Sequence, residues 1–442
     1  MKKNRKRLWA LLALLPVIII VLLVLPLLFD RPEEPADSPL SDTLALALTP
    51  QPVISPTPEP SPTPSPTPSP TPKPPFEEYD ITLMALGDNL LHMAVVKTGK
   101  QSDGTYDYSF LFEGVSEFLE VADIKVTNQE TILGGNDLGF SGYPAFNSPT
   151  EVADAIAAAG FNVVLHATNH ATDKGISGLK YCSDYWDNNH PEVLKAGIHS
   201  EETYGDIPLL TVKNITFAIL NYTYGPNAET LNAAYRGYLD MLCDYDRETG
   251  AINFTELNPQ VIEDIKAARE LADVVIVFPH WGTEYQTSPS VYQQKFASQL
   301  AEAGADLIIG THPHVTQPVE WLTTSDGRQT LCFYSLGNYV STQNRIATML
   351  EGMAWVTFHV AEDGVTITDE KSGMLPLVCH YKQNTLRMEK VYLLEDYTEE
   401  LAVKHGITYY DGIVMHLSDL ENLCNQVFGD KRLYRKDILG EE

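Results

Sequence analysis

The chain has 442 residues, 44% of them hydrophobic, and carries 59 acidic against 30 basic side chains for a formal net charge of −29. That length exceeds one small domain, and the apolar fraction suffices for a sizeable core. The charge excludes nucleic acid as a partner of the globular part, because like charges repel, and it leaves the fold suited to holding cations.

The first seven residues, MKKNRKR, carry five cations, and Leu8–Phe29 then runs without a charge. A stretch of about 20 apolar residues matches the hydrocarbon core of a bilayer, with the flanking cations on the cytoplasmic side. A cleaved signal peptide would have a shorter apolar region followed by a small-residue site; DRPEEP follows instead. The expectation is a cytoplasmic tail over 1–7, a transmembrane anchor over 8–29 and an extracytoplasmic remainder, which makes a single-pass protein of a bacterial cell membrane. Residues 30–77 contain a Ser-Pro-Thr-Pro repeat. Proline at this density precludes ladder hydrogen bonds, so the segment reads as an extended linker, spanning on the order of 100 Å at about 3.1 Å per residue.

From residue 78 short apolar runs alternate with amphipathic stretches. ITLMALGD, DIKVTNQE, FNVVLHATNH, ITFAILNYTYG, DVVIVFPHWG, DLIIGTHPH and TLCFYSLGN read as strands. SPTEVADAIAAAG, NPQVIEDIKAAREL and SPSVYQQKFASQLAEAG read as helices between them. Continuous Val/Ile/Leu runs fit strands buried on both faces, and the alternation predicts an α/β domain over 78–345. After residue 345, GMAWVTFHV and GVTITDEKSGMLPLV read as strands, and DYTEELAVKHG and VMHLSDLENLCNQVF as helices. This extension, 346–442, is expected to complete the domain and cover an edge. The five cysteines are scattered without CxxC spacing and predict neither a disulfide framework nor a zinc knuckle.

The polar residues fall at the ends of the apolar runs. ALGD ends in Asp88, TNQE in Glu130, ATNH in Asn169 and His170, VFPH in His280, and IGTHPH in His312 and His314. In α/β sheets ligands bind beyond the carboxyl ends of strands, so these groups are expected to converge. Imidazole, carboxylate and amide oxygen without thiolate suit manganese, iron or zinc in a hydrolytic site. Alternation within a strand would put His312 and His314 on one side; Pro313 restricts the turn so that the rings can splay toward adjacent metals.

GDNLLH, NQET, TNHATDKGISGL, PHWGTEY, AGADLIIGTHPHVTQPVE and YSLGNYVS, in this order, resemble the CapA-type proteins of bacterial capsule and poly-γ-glutamate synthesis, within the calcineurin-like metallophosphoesterase superfamily. The resemblance spans roughly 80–345. It implies a four-layer α/β/β/α sandwich and a membrane-anchored role in handling an anionic capsule polymer or its precursors, alone or with other capsule synthase subunits. It also implies Asp88, Glu130, Asn169, His280, His312 and His314 as metal ligands, with His170 as the general acid. One departure stands out: the superfamily's first motif is Asp-x-His, and position 90 here is leucine. The expectation is therefore one firm divalent site, from Glu130, Asn169, His280 and His312, and a weaker second one from Asp88, His314 and a share of Glu130, unless His92 turns inward. His92, Asp173, Lys174, Trp281, Glu284 and Asn338 are further candidates for the pocket or substrate: Asp173 and Lys174 suit a substrate role or helix-start chemistry, Trp281 and Glu284 line the pocket or Trp281 caps the core, Asn338 suits a hydrogen bond that supports a ligand, and His92 otherwise has a structural role. Two functions follow: a metal-dependent hydrolase of phosphoesters or γ-glutamyl amides, or a non-catalytic polymer-binding or export subunit.

Overall fold

The apolar runs become the strands of two sheets. The computed structural model describes residues 76–410 and 412–440. The expected anchor and linker lie outside these residues; among the described residues no helix is long and apolar enough to cross a membrane.

The strands in chain order are β1 (Tyr79–Asp88), β2 (Ile124–Asn128), β3 (Val163–Leu165), β4 (Leu194–Ala196), β5 (Leu209–Val212), β6 (Ile215–Thr223), β7 (Cys243–Tyr245), β8 (Ile252–Leu257), β9 (Val274–His280), β10 (Leu307–Ile309), β11 (Thr316–Thr323), β12 (Gln329–Leu336), β13 (Leu350–Ala361), β14 (Gly364–Ile367), β15 (Gly373–Tyr381) and β16 (Met388–Leu393). An eight-stranded sheet has the order β16-β15-β13-β1-β2-β3-β4, with β14 paired to β13. A six-stranded sheet has the order β11-β12-β10-β9-β6-β5, and β7-β8 forms a separate hairpin. β1 to β4 are parallel neighbours, as are β6, β9, β10 and β12 in their sheet.

The period-2 alternation of side chains assigns the faces. In the six-stranded sheet Phe217, Ile219, Ile276, Phe278, Leu307, Ile309, Leu331 and Phe333 enter the core shared with the eight-stranded sheet. Phe217 meets Phe358 of β13 edge-on, with ring centroids 5.2 Å apart. The alternate residues Ala218, Leu220, Val275, Val277, Ile308 and Cys332 pack in a second cluster with Val261, Ile265, Phe296 and Leu300 of two helices. Those helices, Pro259–Leu271 and Val291–Ala303, start on side-chain caps: Asn258 accepts from Gln260 N, and Ser290 and Gln293 form a reciprocal capping box. Helices Glu151–Ala158 and Gly175–Asn189 contribute Val152, Ile156, Leu179 and Trp186 to the main core. The result is an α/β sandwich.

The segment after residue 345 does more than cover an edge. β13 lies inside the eight-stranded sheet, antiparallel to β1 from Tyr79↔Val360 to Ala85↔Ala354. Burial on both of its faces explains the unbroken apolar run that sequence alternation alone does not require. The five cysteines are all free and buried.

Candidate metal centre

Asp88, at the end of β1, is fully buried and held from three sides. Asn128 Nδ2 donates to its Oδ1 at 2.8 Å, while the His312 backbone N–H (3.3 Å) and His314 Nδ1 (3.1 Å) donate to Oδ2. Glu130 follows β2, and Thr168 Oγ1 donates to its carbonyl at 2.8 Å. Its carboxylate stands between two sets of groups. Glu130, His280 and His312 each place a ligand atom within 4.8 Å of the others, and so do Asp88, Glu130 and His314. The structure thus gathers side chains from both sheets around a carboxylate common to the two triads. Asn169 Oδ1 sits 2.9 Å from His280 Nε2, which joins it to the first group.

The loop between β10 and β11 explains how His312 and His314 reach different triads. β10 ends at Ile309, so neither histidine belongs to a strand. Both are in left-handed backbone, with φ of 96° at His312 and 59° at His314. Such conformations in non-glycine residues cost of order 1–3 kcal/mol each and concentrate at functional sites. Here they splay the rings to centroids 5.8 Å apart.

Burial, reinforced by neighbouring imidazoles, holds His280 and His312 well below the usual histidine range. Both stay neutral, with lone pairs to offer. Burial also pushes the Glu130 carboxyl well above the usual carboxylate range, against the pull of His314 and with Asp88 adding to the push. For His314 burial works downward, but Glu130 and Asp88 outweigh it and raise the imidazole to about 9. Both Glu130 carboxylate oxygens and His312 Nδ1 are buried without a hydrogen-bond partner among the described residues. Buried polar atoms left unpaired are costly, and a divalent cation satisfies this oxygen-and-nitrogen set. The residues therefore fit a metal.

His170 sits beside this cluster. Its Nδ1 donates to Asp173 Oδ2 at 2.7 Å, and the same oxygen accepts from Phe146 N at 2.7 Å. The Phe146 ring stands edge-on to the imidazole, centroids 4.7 Å apart. Asp173 is thus the carboxylate that orients His170, a role more specific than the substrate contact expected of it. Asn338 Oδ1 accepts from His314 Nδ1 at 3.0 Å. Glu284 is exposed near the cluster, and its charge bears on Glu130, His314 and Tyr285.

Three candidates take the structural alternative. Trp281 is buried in the outer cluster of the six-stranded sheet, with Nε1 donating to Tyr334 O at 3.0 Å. It follows His280, and alternation sends the two side chains to opposite faces. His92 starts the helix Met93–Gly99, and its Nδ1 accepts from Thr342 N at 3.4 Å; it joins neither triad and does not replace the missing histidine at Leu90. Lys174 precedes the helix Gly175–Asn189 and donates to Ala145 O at 3.2 Å.

Other contributors come from loops. Asn227 Oδ1 accepts from Asn169 Nδ2 at 3.0 Å, and the Tyr224 ring lies 4.7 Å from that of His312. Thr311 Oγ1 is 3.0 Å from His280 Nδ1. The Arg345 guanidinium lies 4.1 Å over the Tyr285 ring, whose own centroid is 6.1 Å from that of His314.

With this geometry in place, comparison with known proteins is decisive. The family model described as "Bacterial capsule synthesis protein PGA_cap" matches residues 82–343, which includes every member of both triads. The chain belongs to this family. It is similar to the capsule biosynthesis protein CapA of Bacillus anthracis, 30% identical over 308 residues, covering 66% of this chain and 67% of that one. It is also similar to the PGA biosynthesis protein CapA of Bacillus subtilis (strain 168), 30% identical over 205 residues, covering 46% of this chain and 48% of that one. A hypothetical protein of Thermus thermophilus aligns in three dimensions over 65% of this chain and 98% of its own, at 13% identity and a TM-score of 0.34.

Proposed function

We propose that the protein works in capsule or poly-γ-glutamate biosynthesis as a membrane-anchored, extracytoplasmic member of the family, with a metal-dependent hydrolase-type site in a metallophosphoesterase-like sandwich. The supporting observation is Glu130: a carboxylate with both oxygens buried and unpartnered among the described residues, common to two triads of ligand-type groups. Glu130, Asn169, His280 and His312 would hold the firmer divalent ion, of the manganese, iron or zinc type; Asp88 and His314, sharing Glu130, would hold a weaker second one. When bound, such an ion lowers the pKa of water and polarises a phosphoryl or carbonyl oxygen.

The chain's own groups do the rest. Asp173 fixes His170 with its proton on Nδ1, so Nε2 is the atom that exchanges a proton with the reacting group. Delivered from Nε2, that proton goes to the departing oxygen of a phosphoester or nitrogen of a γ-glutamyl amide. Phe146 holds the ring plane and limits water at its face. Asn227 orients the Asn169 amide so that its oxygen faces the ligand cluster. Asn338 and Asp88 together orient His314.

A second reading, a non-catalytic polymer-binding or export subunit of a capsule synthase complex, is favoured by Leu90 in place of the expected histidine and by the same metal's capacity to grip carboxylates. One experiment separates the two. The full-length chain in detergent micelles is given manganese, zinc or iron and offered phosphoesters and poly-γ-glutamate, beside His280→Ala and His170→Ala. Turnover lost in both variants supports the hydrolase; polymer binding without turnover supports the second reading.

A further inference from the structure

A chain with net charge −29 makes an awkward host for a polyanion unless positive charge is concentrated somewhere on its surface. One open cleft, of about 650 Å³, is lined by Ala94, Lys97, Lys100, Gln101, Ser102, Thr385, Leu386 and Arg387. That volume lies within the range of ligand-binding clefts. Three of its lining residues are cations and none is acidic. Lys97, Lys100 and Arg387 are exposed and make no ion pair among the described residues, whereas Lys180, Lys195, Lys295 and Lys404 each meet a carboxylate. In so acidic a protein, unneutralised cations facing a common cleft are a feature in need of an anionic occupant.

The walls are fixed in place. Lys97 rides on the helix Met93–Gly99, and the opposite wall is the turn joining β15 to β16. Thr98 Oγ1 accepts from Met388 N at 3.0 Å, which ties the turn to the helix. Leu386 holds the turn in left-handed backbone at φ 54°.

A relay of contacts links the walls of the cleft to the surroundings of the metal centre. The helix begins at His92, four residues after Asp88, and Thr342 N donates to His92 Nδ1. Tyr381, the last residue of β15 before the turn, donates through its hydroxyl to Gln343 O at 2.8 Å, and Gln343 Nε2 reaches the Tyr285 hydroxyl at 3.3 Å. Arg345, exposed and without a carboxylate partner among the described residues, stacks on the same tyrosine beside His314. Segment 342–345 therefore contacts both the cleft's walls and Tyr285 beside His314, and it carries the cation Arg345.

We propose that Lys97, Lys100 and Arg387 form a docking groove for a polycarboxylate strand, which Arg345 guides toward the metal centre. This rests on the polymer-handling reading above and adds the surface that holds the chain away from the reacting bond. A polycarboxylate fits because its charges repeat along an extended backbone and can meet the three unpaired cations of one cleft together.

The test is binding of fluorescently labelled poly-γ-glutamate to the full-length chain in micelles, in both the parent and the His280→Ala backgrounds, at low and high salt. The triple variant Lys97→Gln/Lys100→Gln/Arg387→Gln is expected to weaken binding at least tenfold in both backgrounds and to flatten the salt dependence. Lysine-to-arginine exchange at 97 and 100 is expected to retain binding. Cleavage of a short γ-glutamyl substrate, too small to reach the groove, should be unchanged in the triple variant. Equal polymer affinity in parent and triple variant overturns the proposal, as does absence of binding by the parent or tighter binding of inorganic polyphosphate than of the polycarboxylate. If binding follows the groove residues while no variant or parent shows turnover, the hydrolase reading fails and the groove stands.

Discussion

At the residue scale, the centre depends on side chains whose protonation is set by what surrounds them. In the proposed reaction His170 would act only while Asp173 fixes its Nδ1, at 2.7 Å. Asp173→Asn keeps the shape but cannot stabilise the positive imidazolium, so kcat should fall by about 10–100-fold with KM little changed and the pH profile of kcat displaced. Steady-state kinetics across pH check this; an unchanged profile would assign Asp173 a purely structural role. Away from the site, His405 accepts from Ile407 N at 3.0 Å through Nδ1 and reaches Cys379 O at 2.8 Å through Nε2. It has no place for a second proton. Burial, with the neighbouring His380 adding, pulls its pKa down to about 3. The unfolded chain, with an ordinary histidine pKa of about 6.5, binds the proton first. Stability therefore declines as pH falls below about 6.5 and keeps declining until about 3. Replacement by glutamine removes this proton from the balance, so the slope of unfolding free energy against pH between 6 and 4 should lessen by up to about 1.4 kcal/mol per pH unit. Urea titrations at several pH values give the slopes; identical slopes for His405→Gln and parent would refute the assignment.

At the scale of elements, the site exists because strand ends from two sheets meet at close quarters. Asp88 N donates to Gly337 O at 2.9 Å, just past the end of β12, and a Cβ on the preceding Gly87 would lie 2.0 Å from that same oxygen. Backbone has no room to yield, so Gly87→Ala should destabilise the fold by about 1–3 kcal/mol and loosen the Asp88 side of the metal centre first. Denaturant unfolding together with metal content of the folded variant measures both effects; parent-like values in each would show that the sheets separate freely. The convergence of the strand-end groups was legible in the sequence because each closes an apolar run, and a run's last residue is where a buried strand first meets a crevice. For Trp281 the sequence left pocket and core both open, because one step past His280 changes the face, which spacing reveals only once the strand's end is known. Tyr224 and Thr311 also follow strand ends, after β6 and β10, and so carried that signal unread, whereas Asn227 and Arg345 lie in loops whose approach is decided by packing of distant segments. The interior position of β13 was hidden for a related reason, since its apolar run is compatible with either an edge or a centre.

At the scale of the whole molecule, an acidic head would repel an anionic polymer at long range, and the charges that matter are local. Two cationic features oppose the overall field: the metal ions that the Glu130 cluster would hold and the groove of Lys97, Lys100 and Arg387. Screening by salt weakens the second far more than the first, because buried charges are shielded little by mobile ions. The family match over 82–343 includes every member of both triads and ends two residues short of Arg345. The central claim is that Glu130 is shared by both metal positions. Its most direct test is metal content of the purified full-length chain, by elemental analysis after dialysis, for the parent, Glu130→Gln, His280→Ala and His314→Ala. The expected result is one tightly held divalent ion and a weaker second in the parent, loss of the tight one in His280→Ala, loss of only the weaker one in His314→Ala, and loss of both in Glu130→Gln. Glu130→Gln retaining the parent's full complement would contradict the account.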